Sequence, residues 1–173
     1  MGLFDSIGQF FVRLFVRGVI PREPVVLRAV GVVRNGVREA RARGWEDLRS
    51  DIIVREELIP ALEGIETYSH VIVIFYMHQV PEPERARTQV HPRHDERYPL
   101  QGVFATRTPS RPNPVGVAVV PLVRRRRNIL RVVGLDAIDG TPVLDVKPYI
   151  PQYDSVPEAR LPEWATQPLD EEP

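Results

Sequence analysis

The sequence predicts a mainly β protein, an antiparallel barrel or sandwich with one or two short helices and an N-terminal helical extension. Short runs of β-branched residues recur along the chain, and turn-forming residues separate them. Proline accounts for 18 of the 173 residues, about twice its usual share, which argues against a helical bundle. A chain of 173 residues fits one domain and is long enough to bury a core.

The first 24 residues predict an amphipathic extension ahead of the main domain. Charged and polar residues interrupt its apolar positions at helical intervals, so it lacks the ~20 uninterrupted apolar residues that span a bilayer. It also lacks the positive start and small-residue cleavage site of a signal peptide. We expect it to pack against the protein or a partner rather than lie on a membrane surface, with no stable membrane insertion.

The main domain is expected over residues 25–157 and consists mostly of short strands. Residues 71–77 form a continuous apolar run, which indicates a strand buried on both sides. The remaining predicted strands are bounded by turn residues and cover 25–33, 51–54, 103–105, 115–123, 129–135 and 143–146.

Three other segments are not predicted to be strands. Residues 55–63 carry apolar positions at helical spacing, and Pro60 limits them to a short or irregular helix. Residues 79–101 are polar and predict a long surface loop. Residues 158–173 are rich in proline and acidic residues, and they predict a C-terminal tail that is frayed or wrapped around the outside.

Composition excludes several classes of function. The 23 basic and 23 acidic residues cancel, which excludes a globally basic protein that coats DNA. The absence of cysteine excludes disulfides, thiolate metal sites and a cysteine nucleophile. No P-loop or dinucleotide fingerprint occurs. His91 and His94 have a chelating spacing but no further close ligand, so we expect no metal site.

The stretch 102–116 is the first candidate site, because prolines stiffen it between two predicted strands. It presents Arg107, Arg111 and Asn113, which suit a preorganised site for an anion or polar ligand. The alternative is a stiff connector whose arginines pair with surface acids.

The stretch 136–151 is the second candidate. Its Asp139-Gly140 pair predicts a tight hairpin turn. Asp145 and Lys147 share one side of the following strand and precede Tyr149, so these three could bind a ligand or move a proton. A solvent-facing ion pair beside a packed tyrosine is the alternative.

Two further features carry polar groups at strand ends. His78 ends the buried strand and is either a site residue or a satisfied histidine at a strand end. A predicted hairpin tip holds four successive arginines, which require solvent or phosphate: Arg124, Arg125, Arg126 and Arg127.

These motifs together resemble the TsaA/TrmO family. The resemblance rests on residues 102–116 and 135–151, supported by residues 62–70 and by the strand that ends in Tyr76-Met77-His78. It implies a small β-barrel methyltransferase, unlike the Rossmann type, that uses S-adenosylmethionine. It also implies a cytoplasmic homodimer that methylates N6 of threonylcarbamoyladenosine at position 37 of tRNA.

The resemblance also implies roles for individual residues. The residues that would border the cofactor are His78, Gln79, Arg107, Val117, Asp139, Gly140, Thr141 and Pro142. Exposed turn amides and a fixed arginine suit a carboxylate or ribose hydroxyls. Asp145, Lys147 and Tyr149 are candidates for assisting proton removal by position only. Many members carry a Pro-Arg-Gln segment after the first strand, where this chain has residues 34–39 of a different sequence.

Two alternatives to a tRNA methyltransferase remain. One is the same barrel methylating a different, smaller substrate, and the other is a non-catalytic module that binds S-adenosylmethionine or RNA. The net charge of zero favours them slightly. A combined patch of Arg107, Arg111 and the four tip arginines, with Asn113 beside it, would supply the charge for RNA. We expect no binding to DNA.

Overall fold

The computed structural model describes residues 24–166. The proposed amphipathic extension falls almost wholly outside the described residues, as does the end of the proposed C-terminal tail. The division into residues 1–24, 25–157 and 158–173 therefore stays a prediction.

The strands within residues 24–166 are β1 Gly31–Arg34, β2 Arg49–Val54, β3 His70–Tyr76, β4 Gln89–Val90, β5 Gln101–Gly102, β6 Val115–Arg126, β7 Ile129–Val133 and β8 Pro142–Pro148. Six of them close into an antiparallel barrel, in the order β1-β2-β7-β6-β3-β8 and back to β1. The other two, β4 and β5, form a separate sheet in the connection between β3 and β6. The predicted mainly β fold is confirmed, and the barrel form is the one present.

Helices within the described residues are short. Four are 3₁₀-helices, at Glu56–Leu62, Ile65–Thr67, Pro92–His94 and Val103–Ala105. Three are α-helices of one turn each, at Glu82–Arg85, Pro151–Asp154 and Glu163–Thr166. No helix in this part of the chain is long and apolar enough to cross a membrane.

The interior of the barrel is filled by alternate residues of each strand. Val71, Val73 and Phe75 of β3 are at most 3% exposed, whereas Ile72 and Ile74 are half-buried. The prediction that this strand is buried on both sides is therefore wrong. An antiparallel barrel has one inner and one outer face, so side chains alternate between them even in an uninterrupted apolar run.

Other predicted elements differ in extent or type. Of residues 25–33, only the end joins the sheet; residues 25–27 are exposed, because β2 and β8 offer no partner to them. Residues 103–105 form a 3₁₀ turn instead of a strand. Residues 55–63 form the short irregular helix that Pro60 predicts. The loop at 79–101 contains two helical turns, Glu82–Arg85 and Pro92–His94. It also contributes the two strands of the small sheet, the second of which ends at Gly102.

The Asp139-Gly140 turn does not close a hairpin, contrary to the prediction. Strand β7 pairs with β2 and β6, while β8 pairs with β1 and β3. Residues 134–141 therefore cross one end of the barrel between two strands that do not pair. This crossing brings the turn to the ends of β1 and β3.

Candidate functional site

One end of the barrel collects most of the predicted site residues, and we call it the site end. Because neighbouring strands run antiparallel, β1 and β3 finish where β6 and β8 begin. Tyr76 pairs with Val115, and Phe75 pairs with Val143. Four segments at these strand ends are consequently neighbours: 35–37, 77–79, 113–114 and 139–142.

Asp139 anchors the segment that follows β1. The backbone amides of Asn35 and Gly36 donate to its Oδ1 at 2.8 and 3.2 Å, and Arg34 Nη1 lies 3.1 Å from its Oδ2. These contacts, the Asn35 amide first, hold the pKa of the Asp139 carboxyl below its usual value. The carboxylate thus fixes residues 34–36 in place, although their sequence departs from the family pattern.

The amides of the Asp139 turn are not free, so the expectation of exposed turn amides is wrong. The amide of Asp139 donates to Val37 O at 2.6 Å, and that of Gly140 donates to Val33 O at 2.9 Å. The Thr141 amide donates to Ile138 O at 3.2 Å, and Thr141 is buried. A ligand at this turn would have to use carbonyl and side-chain groups.

His78 and Gln79 belong to the segment 77–79, which contacts residue 38. The amide of Met77 donates to Pro114 O at 2.8 Å, and Gln79 Nε2 donates to Arg38 O at 3.4 Å. The Nδ1 atom of His78 is buried with no hydrogen-bond partner among the described residues. Such an orphaned buried atom fits a site that a polar ligand group completes.

The charge of Arg107, in the first proline-rich stretch, acts on Asp136 in the second. Asp136 is an exposed residue, yet local burial of its carboxyl group raises its pKa, and the positive charge of Arg107 partly opposes that rise. Strand pairing brings the two stretches together, because Val115 at the end of the 102–116 loop pairs with Tyr76, and Phe75 pairs with Val143 just after the 134–141 crossing. Arg107 itself is exposed and available to a ligand.

Arg111 holds its own loop together. Its Nε donates to Thr108 O at 2.8 Å, and its Nη2 donates to Thr106 O at 2.7 Å and to Val103 O at 3.1 Å. A guanidinium with three bonds to loop carbonyls is a structural brace, so the expected RNA contact of Arg111 has no support here. Asn113 is exposed and stays a predicted contact.

A cavity of about 280 Å³ opens beside Arg107. Its walls come from the turn at 90–94, from residues 106–109 and from Trp164 of the C-terminal segment. Sequence reasoning missed this cavity. A lone tryptophan in a predicted tail and two histidines in a predicted loop carried no signal that they would meet Arg107.

The three candidates for proton transfer lie elsewhere. Asp145 and Lys147 form a 2.6 Å ion pair on the outer wall of the barrel, with both side chains about half exposed. Tyr149 lies near the start of β3, where its amide donates to His70 O at 3.1 Å. The Asp145–Lys147 pair fits the solvent-facing alternative, and a part in proton removal stays a prediction.

Val117 occupies the same outer wall. It pairs with Ile74, which in turn pairs with Asp145, and it is 52% exposed. Its predicted cofactor contact would therefore extend the site from the barrel end onto the wall.

The tip arginines lie at the opposite end of the barrel, which we call the tip end. Strand β6 has 12 residues and spans about 35 Å from Val115 to Arg126. The predicted combined patch with Arg107 and Arg111 is therefore wrong. Acidic side chains also neutralise part of the tip: Arg125 pairs with Glu66 at 3.1 Å, and Arg127 pairs with Glu56 at 3.5 Å.

Known proteins share both the sequence and the barrel. A probable S-adenosyl-L-methionine-binding protein of Methanothermobacter thermautotrophicus is 42% identical over 134 residues, which cover 75% of this chain and 93% of that protein. The tRNA (adenine(37)-N6)-methyltransferase of Escherichia coli is 41% identical over 160 residues, covering 90% of this chain and 61% of that enzyme. A crystal structure of TrmO from Pseudomonas aeruginosa superimposes with a TM-score of 0.69 at 31% identity, covering 87% of this chain and 66% of that one.

The match to a family model decides the assignment. Residues 38–155 match the tRNA-methyltransferase O N-terminal domain, and this range includes both proline-rich stretches and all the barrel strands after β1. The resemblance inferred from the motifs is confirmed, and the chain belongs to the tRNA-methyltransferase O N-terminal domain family.

Proposed function

We propose that this protein is an S-adenosylmethionine-dependent methyltransferase that methylates N6 of threonylcarbamoyladenosine at position 37 of tRNA. One observation carries the proposal: the two proline-rich stretches converge at the site end, where β6 and β8 begin on either side of the end of β3. The Escherichia coli relative, a tRNA (adenine(37)-N6)-methyltransferase, supports the acceptor base. The threonylcarbamoyl group rests on the family resemblance alone.

The cofactor would be held at the site end. The buried Nδ1 of His78 offers a hydrogen-bonding group, Arg107 offers a cation for a carboxylate, and Gln79 borders residue 38. The turn formed by Asp139, Gly140, Thr141 and Pro142 closes this end of the barrel. S-adenosylmethionine supplies an activated methyl group when bound.

The protein's own contribution is alignment, since its residues hold the site rigidly. Arg111 braces the 102–116 loop from within, and Asp139 fixes the segment after β1 through two backbone amides. Fixed elements of this kind can orient an acceptor nitrogen toward a donor without reorganisation during the reaction.

We also propose that the protein acts as a cytoplasmic homodimer. Val117, Val119 and Val123 are each at least 50% exposed on the outer wall of β6. A row of exposed valines on one strand suits an interface between subunits. A second copy on this wall would cover Val117 beside the cofactor candidates, and the interface would then adjoin the site.

Calorimetry with S-adenosylhomocysteine tests the cofactor site. Arg107→Ala should weaken binding about tenfold or more, the usual scale for losing a hydrogen bond to a charged group. Arg55→Ala is the matched control, because Arg55 is an exposed arginine after β2 at the tip end that pairs with Glu57. Equal affinities of the Arg107 variant and the wild-type protein would remove Arg107 from the site.

Methyl transfer tests the reaction itself. Labelled S-adenosylmethionine and total tRNA lacking the methyl group should give labelled tRNA, with the label at the adenosine at position 37. Label on a small molecule instead of tRNA would favour the same barrel with another substrate. Tight binding of S-adenosylhomocysteine without transfer to any acceptor would favour a non-catalytic module.

A further inference from the structure

The cavity beside Arg107 is lined mostly by residues that have no proposed role in binding the cofactor. Among the proposed cofactor residues, only Arg107 lines it; the rest of the wall comes from the 90–94 turn, from Thr106 to Pro109 and from Trp164. A volume of about 280 Å³ lies just below the ~300–1,000 Å³ typical of ligand sites, so the cavity suits one base better than a whole cofactor.

We propose that this cavity binds the purine base that accepts the methyl group, with Trp164 as its stacking surface and His91 as its specificity contact. The proposal rests on the proposed function, because a methyl acceptor must lie next to the cofactor. Arg107 lines the cavity and is also one of the proposed cofactor contacts. The two sites would therefore share Arg107.

Trp164 supplies the aromatic surface. It lies in the one-turn helix Glu163–Thr166, where the Ala165 amide donates to Pro162 O at 2.9 Å. The residue is half-buried and lines the cavity together with the apolar side chains of Val90 and Pro109. Proteins that bind unpaired nucleotides stack bases on such aromatic faces.

His91 supplies a hydrogen-bond acceptor of defined chemistry. Its Nδ1 lies 2.8 Å from the carbonyl oxygen of Tyr98. Because a carbonyl only accepts, Nδ1 must carry the hydrogen, and the neutral ring then has a bare Nε2. Nε2 can accept a hydrogen bond from the N6–H that adenine and threonylcarbamoyladenosine both carry. Hypoxanthine has a carbonyl at that position and offers no such donor.

Binding of an anticodon-arm oligoribonucleotide tests this site. The chain has two tryptophans, so Trp45→Phe leaves Trp164 as the only indole fluorophore. We expect the oligoribonucleotide with adenine at position 37 to quench that fluorescence, at the same concentrations at which a fluorescein label reports binding by anisotropy. Replacing Trp164 by leucine should weaken binding about tenfold or more, and Trp164→Phe should restore most of it.

Base discrimination tests His91. Hypoxanthine at position 37 should bind the wild-type protein about threefold to tenfold more weakly than adenine, as expected for one lost hydrogen bond. His91→Asn places an amide where it can still donate to Tyr98 but removes Nε2, so the two oligoribonucleotides should then bind equally. His70→Asn, near the start of β3 away from the site end, should keep the discrimination.

The possible failures are distinguishable. If anisotropy shows equal binding to the wild-type protein and to Trp164→Leu, RNA binds elsewhere, and the cavity proposal is wrong while tRNA remains the substrate. If no variant binds the oligoribonucleotide although calorimetry detects S-adenosylhomocysteine, the tRNA substrate and the cavity proposal both fail. Unchanged discrimination in a folded His91→Asn protein, shown by its melting curve, removes His91 from the site.

Discussion

At the scale of single residues, Asp139 anchors the segment that follows β1. Its carboxylate accepts from two backbone amides and pairs with Arg34, which lowers its pKa. We predict that Asp139→Asn lowers the melting temperature at neutral pH by about 2–4 °C, the shift expected for ~1 kcal/mol in a domain of this size. Differential scanning calorimetry measures it.

The pH dependence of this effect has a definite sign. Because the folded-state pKa is depressed, the carboxylate stabilises the fold above its ordinary value of 3.8, and that stabilisation is lost as pH falls through the lowered value. The difference between wild type and Asp139→Asn should therefore shrink on acidification below that point. Asp145→Asn is the control, since its exposed ion pair should contribute little. A difference that grows at low pH would contradict the assignment.

At the scale of elements, the start of β6 depends on the close approach of Gly116 to the ring of Phe75. A Cβ atom at Gly116 would lie 2.4 Å from ring atoms of Phe75, which is buried in the barrel. We predict that Gly116→Ala destabilises the protein by about 1–3 kcal/mol in urea unfolding, because the ring must leave its packed position. Adding Phe75→Leu should recover part of the loss.

Gly102→Ala provides the comparison for Gly116. The nearest heavy atom to a Cβ there is Thr88 O at 4.0 Å, so the midpoint of urea unfolding should hardly change. Equal losses in the two variants would mean that helix or strand preference, rather than the contact with Phe75, sets the cost.

The elements also show what the sequence could predict. Most of the short β-branched runs form strands of the barrel, because a neighbouring strand is available to pair with them. Residues 25–27 and 103–105 are apolar too but have no partner strand, so a prediction from composition alone extended the strands too far. The Asp139-Gly140 turn was identified correctly as a turn, yet its local chemistry could not reveal which strands it connects.

At the scale of the whole molecule, the barrel separates two positive regions. Arg107 lies at the site end and Arg124 to Arg127 at the tip end, about 35 Å along β6. Sequence reasoning joined them because it could not measure that distance. A tRNA is long enough to contact both ends, so the tip can add electrostatic attraction without taking part in the chemistry.

This separation leads to a prediction for RNA binding. Arg124 and Arg126 are the exposed tip arginines outside the pairs with Glu66 and Glu56. The logarithm of the affinity for tRNA should fall with the logarithm of the salt concentration. Replacing both arginines by serine should make that fall less steep by about 1–2 units of slope, because roughly one counterion is released per phosphate contact. Affinity for S-adenosylhomocysteine should stay the same, because the site end is unaltered. An unchanged slope would place the tip outside the RNA interface, and a loss of cofactor affinity would show that the two ends are coupled through the barrel.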